Sequence, residues 1–430
     1  MIVKNEAGSL GHCLESIRGL WDELVVLDTG STDETREIAR SFGARVETFP
    51  WVDDFAAARN AGLAHCTGDW ILVLDADEAV DPKDHARVRE ACEASSAQAF
   101  TLPIRNYVRG GAFIGMDGAA QRNDGTYGEG AQCSHYYLQH AIRLFRAQAE
   151  PPYRGRVHEI VELHFEEKGL EVASLEVAVH HFGKLDLEDD HRKQAGYFRL
   201  AQAEAAARPQ DLQLQYNVIQ EGLLVDAWAE VLAAAERFRD TAPRAPMLVW
   251  LGGGLALQGL GRHREALDWF GNILAQRPDH AVALGARAES LRALGRTQEA
   301  QGEFLKAMEA DPGYTLPFLK LAALLEQAPD MESARAVLEA GLDQNPRDEV
   351  LWEALVGLSA RNRDARVTQD AWNALRAAPA GGATLWHQIV YQALKGSGDM
   401  ENAGRVLEMG LAAFPGNAEL EGLARGERLP

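Results

Sequence analysis

The chain has 430 residues and carries 43 Lys and Arg against 64 Asp and Glu, a formal net charge of −21. At roughly 100–200 residues per domain, this length makes two or three domains, each able to bury a core. Hydrophobic content of 46% and charged content of 25% exclude bulk disorder, and the acidic balance excludes an extended nucleic-acid-binding face, though not one local nucleotide site.

The chain opens Met1-Ile2-Val3-Lys4-Asn5-Glu6, without a signal-peptide pattern. Over about the first 195 residues, short β-like runs alternate with helical patterns. Leu24-Val25-Val26-Leu27 reads as a strand ending in Asp28-Thr29-Gly30, and a helical pattern follows from about Asp33 to Phe42. Ser31 with Glu34 fits a capping box at that helix start, and Gly30 permits the tight turn. Trp70-Ile71-Leu72-Val73-Leu74 reads as a second strand, ending in Asp75-Ala76-Asp77-Glu78. Continuous apolar runs of this length suit a parallel sheet covered on both faces, and the alternation with helices predicts an α/β domain. The glycine-rich stretch from Gly110 to Cys133, with Asp117, Asn123, Asp124 and Tyr127, fits a mobile acceptor loop or lid, or an insertion without a role. Ile142-Arg143-Leu144-Phe145-Arg146 is again strand-like. The four cysteines, Cys13, Cys66, Cys92 and Cys133, form no CxxC pair, which suits a reducing compartment.

Beyond about residue 200 the strands give way to a period. Gly261 and Gly295 are 34 apart, as are Ala266 and Ala300, Phe270 and Phe304, and Pro278 and Pro312, with Pro346 continuing the series. This is the period of the tetratricopeptide repeat, in which small residues let paired helices approach and a proline follows the second helix. Trp250, Gly254, Gly261, Ala266, Phe270 and Pro278 make one full copy, and Tyr391, Gly398, Ala403 and Pro415 a later one. About six helical hairpins are expected over 196–430, the outer ones atypical as the ends of a stack usually are. The apolar stretch from Met247 to Gly261 falls among them; it is too short for a membrane helix and holds five glycines. A soluble, cytoplasmic protein is expected.

The chemistry lies in the first half. Asp28 stands at the carboxyl end of a strand, where α/β sheets bind ligands, and its carboxylate can accept the imide N–H of a uracil-like base. Asp75 and Asp77 project beside each other at the end of a buried strand. Like-charge repulsion and desolvation make that arrangement costly unless a partner compensates it. A divalent cation with hard oxygen ligands, Mg²⁺ or Mn²⁺ on a diphosphate, would do so; a solvated strand-end turn is the plainer alternative.

These motifs resemble the family-2 glycosyltransferases. The resemblance is carried by Val3-Lys4-Asn5-Glu6, Cys13-Leu14-Glu15-Ser16, Asp28-Thr29-Gly30-Ser31-Thr32-Asp33, Phe55-Ala56-Ala57-Ala58-Arg59-Asn60, Gly68-Asp69-Trp70 and Asp75-Ala76-Asp77-Glu78, in that order. With repeats behind them, the motifs are similar to a bacterial subgroup of lipopolysaccharide-core glucosyltransferase-like and peptide S-glycosyltransferase-like proteins. The resemblance implies an α/β GT-A (Rossmann-like) domain over 1–195, followed by an all-α tetratricopeptide-repeat solenoid. It also implies a few residues ahead of Met1, so a short first strand is expected.

Residue by residue, the resemblance implies that Asp28 binds the nucleobase, that Val3, Asn5 and Glu6 line the base pocket, and that Arg59 and Asn60 lie near base and diphosphate. Asp75 is expected at the ribose or the metal's water shell, and Asp77 on the metal. Such enzymes invert the anomeric centre, with a carboxylate taking the acceptor's proton. The family's usual Glu-Asp pair is missing. In Arg154-Gly155-Arg156-Val157-His158-Glu159, Glu159 is the expected base and His158 a third metal ligand or diphosphate contact; loop ion pairs with Arg154 and Arg156 are the alternative. His180 and His181 either reach the diphosphate or pack in the core.

The expected activity is metal-dependent (Mn²⁺ or Mg²⁺), non-processive hexosyl transfer from a UDP-sugar to a protein, peptide or saccharide acceptor. The repeats are expected to select the acceptor or join subunits in a homo-oligomer. No nucleic-acid partner and no membrane span are expected. A repeat-based adaptor with an inactive nucleotide-binding domain is the competing reading. A basic run from Arg143 to Arg156 is the candidate patch for any anionic acceptor.

Overall fold

The computed structural model describes residues 1–108, 114–115, 118–128, 130–157, 159–183, 187–242, 244–328, 330–378 and 383–426. The chain divides into two units, one of residues 1–107 and 138–262, the other of 108–137 and 263–430.

The first unit begins with three parallel strands in the order β1 (Ile2–Val3), β2 (Val25–Asp28) and β3 (Arg45–Thr48). Helices α1 (Leu10–Ser16) and α2 (Thr35–Ser41) connect them. Helix α3 (Phe55–Leu63) leads to β4 (Trp70–Leu72) and β5 (Glu78–Val80), and α4 (His85–Ala94) leads to β6 (Ala99–Val108). The second unit holds β7 (Ile114–Gly115), β8 (Gly118–Ala119) and β9 (Gln121–Arg122), the last paired with the amino end of β10 (His135–Arg146). Helix α5 (Glu162–Glu167), β11 (Val172–Ser174) and β12 (Val179–His181) complete the α/β part.

A second, mixed sheet runs β4-β10-β6-β12-β5, with β11 beside β6. The apolar run at 70–74 lies in an antiparallel pair, Ile71 opposite Phe145, where its composition predicted parallel neighbours. What the run reports is burial on both faces, not strand direction. Leu72 and Leu74 join the core of Leu14, Val26 and Leu144, while Ile71 and Val73 join that of Phe145 and Phe165. Strands β1 and β4 each end their sheet, and an open pocket of about 440 Å³ is lined by both, with Met1, Leu24, Leu63 and Leu72 as well as Asp22, Glu23, Asp69 and Arg89 in its wall. All four cysteines are free thiols.

From α6 (Leu187–Ala207) the chain is helical, through α7 (Leu212–Leu224), α8 (Trp228–Thr241) and α9 (Met247–Gly259). Small residues let these helices touch: a Cβ on Gly222 would lie 2.5 Å from Val231 Cγ2, and one on Gly252 2.7 Å from Ile219 Cγ2. The second unit continues with α10 (His263–Gln276), α11 (Ala281–Ala293), α12 (Thr297–Ala310), α13 (Leu316–Gln327) and α14 (Met331–Gln344). It ends with α15 (Glu349–Arg361), α16 (Val367–Ala377), α17 (Ala383–Gly396), α18 (Met400–Ala413) and α19 (Ala418–Ala424).

The 34-residue period has a backbone cause. Gly261, Gly295 and Gly398 hold φ of 73°, 74° and 83° where one helix stops and the next begins, a left-handed position that favours glycine. In the degenerate copies Asp226 and Arg363 take that conformation instead, at 56° and 53°. Ala266, Phe270, Ala300 and Phe304 are fully buried. Among the described residues no helix is long and apolar enough to cross a membrane.

Candidate active site

The ends of β1 and β2 meet in one turn. Asp28 is buried, and its carboxylate accepts the N–H groups of Gly30 at 3.3 Å and Ser31 at 3.1 Å. The expected capping box does not form: α2 starts at Thr35 without a side-chain cap from Glu34. Ser31 Oγ instead accepts the Asn5 N–H at 2.9 Å. Asp33 does the capping, accepting from the Thr35 and Ala7 N–H groups, both at 3.1 Å. Asn5 lies at φ 56° and its Oδ1 accepts the Thr32 N–H at 2.8 Å. Val3 is buried, its carbonyl accepting from Thr29, and Glu6 accepts from Lys193 Nζ at 3.0 Å. The structure brings Val3, Asn5, Glu6 and Asp28 together, with most of their polar atoms building the turn itself.

A second cluster gathers three carboxylates around two guanidiniums. Arg59 donates from Nη2 to Asp75 Oδ1 at 2.8 Å and from Nε to Glu159 Oε1 at 2.6 Å. Arg143 donates to Glu78 Oε1 at 2.6 Å and reaches Asp75 Oδ2 at 3.5 Å. Burial opposes ionisation of Asp75, yet the Arg59 and Arg143 charges prevail and hold its carboxyl well below the ordinary range. For Glu78 burial prevails over Arg143 and pushes the carboxyl up. Among the described residues Arg59 Nη1 is buried with no hydrogen-bond partner, and its guanidinium lies over the Tyr153 ring at 5.6 Å.

Beside this cluster stands Asp77. His181 Nε2 is 3.3 Å from Asp77 Oδ2, and His181 Nδ1 is 2.7 Å from Asn106 Oδ1. Burial works against the charge on both, but each outweighs that penalty for the other: Asp77 is lowered and His181 raised. In that charged pair Nε2–H faces Asp77; when the ring gives up this proton and keeps Nδ1–H on the amide oxygen, an Nε2 lone pair takes its place beside the carboxylate. The chain thus presents one oxygen and one nitrogen donor side by side, with the ring held from behind as metal-binding imidazoles usually are. Gly183 closes the wall: a Cβ there would lie 2.1 Å from Asp77 Oδ2 and 2.9 Å from His181 Nε2. Among the described residues no group of three or more His, Cys, Asp or Glu is arranged to hold a metal by itself.

Other expected residues lie elsewhere. Asn60 clamps the Tyr153 backbone, donating to its carbonyl at 2.9 Å and accepting its N–H at 3.1 Å. His158 lies outside the described residues. Glu159 pairs with Arg59 and not with Arg154, which bonds Glu167 at 2.8 Å. His180 is a core residue, bonded through Nδ1 to the Tyr107 hydroxyl at 2.8 Å. The arginines from Arg143 to Arg156 make no continuous basic patch, because Arg143 is spent on Asp75 and Glu78, and Arg146 lies over the Trp70 ring. Of the glycine-rich segment, residues 109–113, 116–117 (Asp117 among them) and 129 lie outside the described residues; the described part of 108–137 groups with the repeats.

Sequence reasoning read Arg143 as part of a basic run and Glu78 as the end of the Asp75 motif, missing that they pair, and passed over Asn106. Arg143 had a signal: a cation inside an apolar strand is expensive unless an anion meets it. Asn106 had none.

Residues 1–147 match the family model described as Glycosyl transferase family 2. A TPR repeat-containing protein of Synechococcus elongatus is 49% identical over 102 residues, 24% of this chain and 25% of that one. An uncharacterized glycosyltransferase of Rickettsia felis is 38% identical over 78 residues, 18% of this chain and 27% of that one. The chain therefore spans about a quarter of the length of these curated relatives. A crystal structure of a tetratricopeptide repeat protein from Parabacteroides merdae overlays with a TM-score of 0.37 at 15% identity, covering 55% of this chain and 93% of that one. The amino-terminal 147 residues carry a glycosyl transferase family 2 domain by that match, and the chain behind them is a succession of helices that keeps the 34-residue period.

Proposed function

We propose that this chain is an inverting, non-processive transferase that moves a hexosyl unit from a UDP-sugar to a protein, peptide or saccharide acceptor. Residues 1–195 are the transferase domain in this reading and 196–430 the repeat domain. The observation that carries it is the Asp77–His181 pair, set beside Asp75 and Glu159 joined through one arginine.

In the donor half, Asp28 takes the imide N–H of uracil, and Val3, Asn5 and Glu6 form the floor of the base pocket. Lone pairs remain for this, because a carboxylate has about four acceptor sites and the turn uses only some of those on Asp28. Asp75, oriented by Arg59 and Arg143, receives the ribose hydroxyls. Asp77 and His181 would be the chain's donors to a divalent cation, Mn²⁺ or Mg²⁺. When bound, that cation offsets negative charge on the departing diphosphate. His158, next to Glu159 in the chain, is assigned to the diphosphate or the metal. Asn60 acts through the Tyr153 backbone and so shapes the segment that carries the base.

In the acceptor half, Glu159 removes the proton from the attacking acceptor group. The attack opens from the face opposite the leaving diphosphate, so the anomeric configuration inverts. The repeats supply an extended groove suited to a peptide-like acceptor, and a surface for self-association. Free thiols and the lack of a membrane-crossing helix among the described residues agree with a cytoplasmic location.

Calorimetric titration with UDP, with and without Mn²⁺, tests the reading, followed by a hydrolysis screen of UDP-sugars. Metal-supported UDP binding with sugar release is expected, and Glu159→Gln should bind UDP normally while its sugar release falls by about 10²- to 10⁴-fold. A chain that binds no UDP in either condition is an adaptor, not a transferase.

A further inference from the structure

The segment that bears Glu159 is held by helix α3 at three points. Phe55 donates its N–H to the Arg156 carbonyl at 3.0 Å, Asn60 clamps both backbone groups of Tyr153, and Arg59 meets the Glu159 carboxylate itself. A short antiparallel bridge between Arg154 and Ile160 closes the segment on itself. These contacts join positions about a hundred residues apart in sequence, so they are not a local turn. Arg59 is the one of the three whose other edge points elsewhere, to Asp75 at the end of the β4 segment.

A guanidinium is planar and rigid, and its donors have fixed mutual positions. Nε on one carboxylate and Nη2 on the other therefore set the distance and relative orientation of Glu159 and Asp75. Lysine carries the same charge but presents it as a point, without a fork. The Tyr153 ring on one face and 90% burial of the side chain leave Arg59 little freedom to part its two carboxylates. Among the described residues its remaining terminal nitrogen, Nη1, has no hydrogen-bond partner, so the two ion pairs are the polar contacts that fix the group.

We infer that Arg59 is a positioning residue that holds the acceptor base Glu159 in register with the donor-side carboxylate Asp75. The inference rests on the transferase reading, with Glu159 as base, and gives that reading a specific mechanical part. Arg143 also reaches Asp75, at 3.5 Å, and keeps it at the ribose when Arg59 is lost; Arg59 therefore acts on the reaction through Glu159, and its loss affects turnover and not donor affinity. Glu159 is presented at the spacing that Asp75 dictates, and bound donor and attacking acceptor meet at one fixed separation.

The test uses the full chain with Mn²⁺ and UDP-glucose, UDP-galactose and UDP-N-acetylglucosamine as probes, reading sugar release and UDP binding. Arg59→Lys is expected to lower kcat by about 10- to 100-fold, the scale of a misplaced reacting group, with donor KM and UDP Kd within about threefold of native. In the Glu159→Gln background the same change is expected to lower the residual rate less than about twofold, because groups that act as a unit are not additive. Glu159→Asp, which keeps both charges and shortens the side chain away from Nε, is expected to show the same split between kcat and KM, and guards against misfolding of the arginine variant. Additive losses in the double variant, equal losses in kcat and donor affinity, or native turnover in Glu159→Asp each overturn the inference while leaving the transferase standing. A native chain that releases no sugar from any probe overturns both.

Discussion

His181 Nε2 lies 3.3 Å from Asp77 Oδ2 while its other nitrogen is fixed on Asn106. The pair joins the end of β12 to the turn between β4 and β5, and the Phe182 N–H donates to the Asp77 carbonyl at 3.0 Å. Removing His181 as Ala is therefore expected to abolish the Mn²⁺-dependent increment in UDP affinity while leaving metal-free binding unchanged. Asn106→Ala should lower Mn²⁺ affinity by about 10- to 100-fold, as loss of an orienting partner does. Calorimetry of UDP with and without Mn²⁺ reads both; unchanged metal dependence in His181→Ala would remove the pair from the metal site.

Gly183 is held to glycine by contact. A methyl there collides with Asp77 Oδ2 and His181 Nε2 together. Gly183→Ala should push the two donors apart, weakening metal-supported UDP binding at least about tenfold with only a small shift in thermal midpoint. A variant with native metal dependence would mean that the wall yields.

Arg143 guards stability. Glu78 is buried and pushed up by that burial, with Arg143 as its compensating charge. Arg143→Met should destabilise the first unit by about 3–5 kcal/mol, the usual result of orphaning a buried partner. Arg143→Met with Glu78→Met should recover much of that loss. Urea unfolding of the full chain measures both, and a double variant as weak as the single one would contradict the pairing.

The second unit should soften in acid. His135 is buried on the repeats, its Nδ1 3.0 Å from Ser134 Oγ and 3.9 Å from Asp348 Oδ2. Burial pushes this imidazole below its ordinary value; Asp348, Asn345 and Asp311 oppose the shift and Arg122 adds to it. The unfolded chain takes the proton first, so stability is fully present above about pH 6.5. It falls below that pH by up to about 1.4 kcal/mol per pH unit until the folded imidazole also protonates. Hydrogen exchange at α14 and α15 between pH 7 and 5 should show this, and His135→Gln should flatten the dependence. An equal slope in that variant would assign the softening to another group.

The strand ends and the repeats were legible because their signals are local. Asp28, Asp75 and Asp77 follow apolar runs directly, and the turn glycines recur because each helical hairpin needs the same left-handed residue. What escaped depends on distant pairing. Arg143 meets Glu78 across 65 positions and His181 meets Asn106 across 75, and no periodicity encodes those encounters. Strand direction was misread at 70–74 because burial on both faces produces the same apolar run in either orientation. The expected cap at Ser31 failed for a related reason: two side chains competed for one helix start, and Asp33 won with Thr35.

The turn glycines of the second unit separate backbone strain from packing. A Cβ on Gly295 or Gly398 would meet no atom within 4 Å, so nothing crowds an alanine there. Its cost is the left-handed φ alone, about 1–2 kcal/mol at each position, and two such changes would weaken the unit stepwise without removing a single contact.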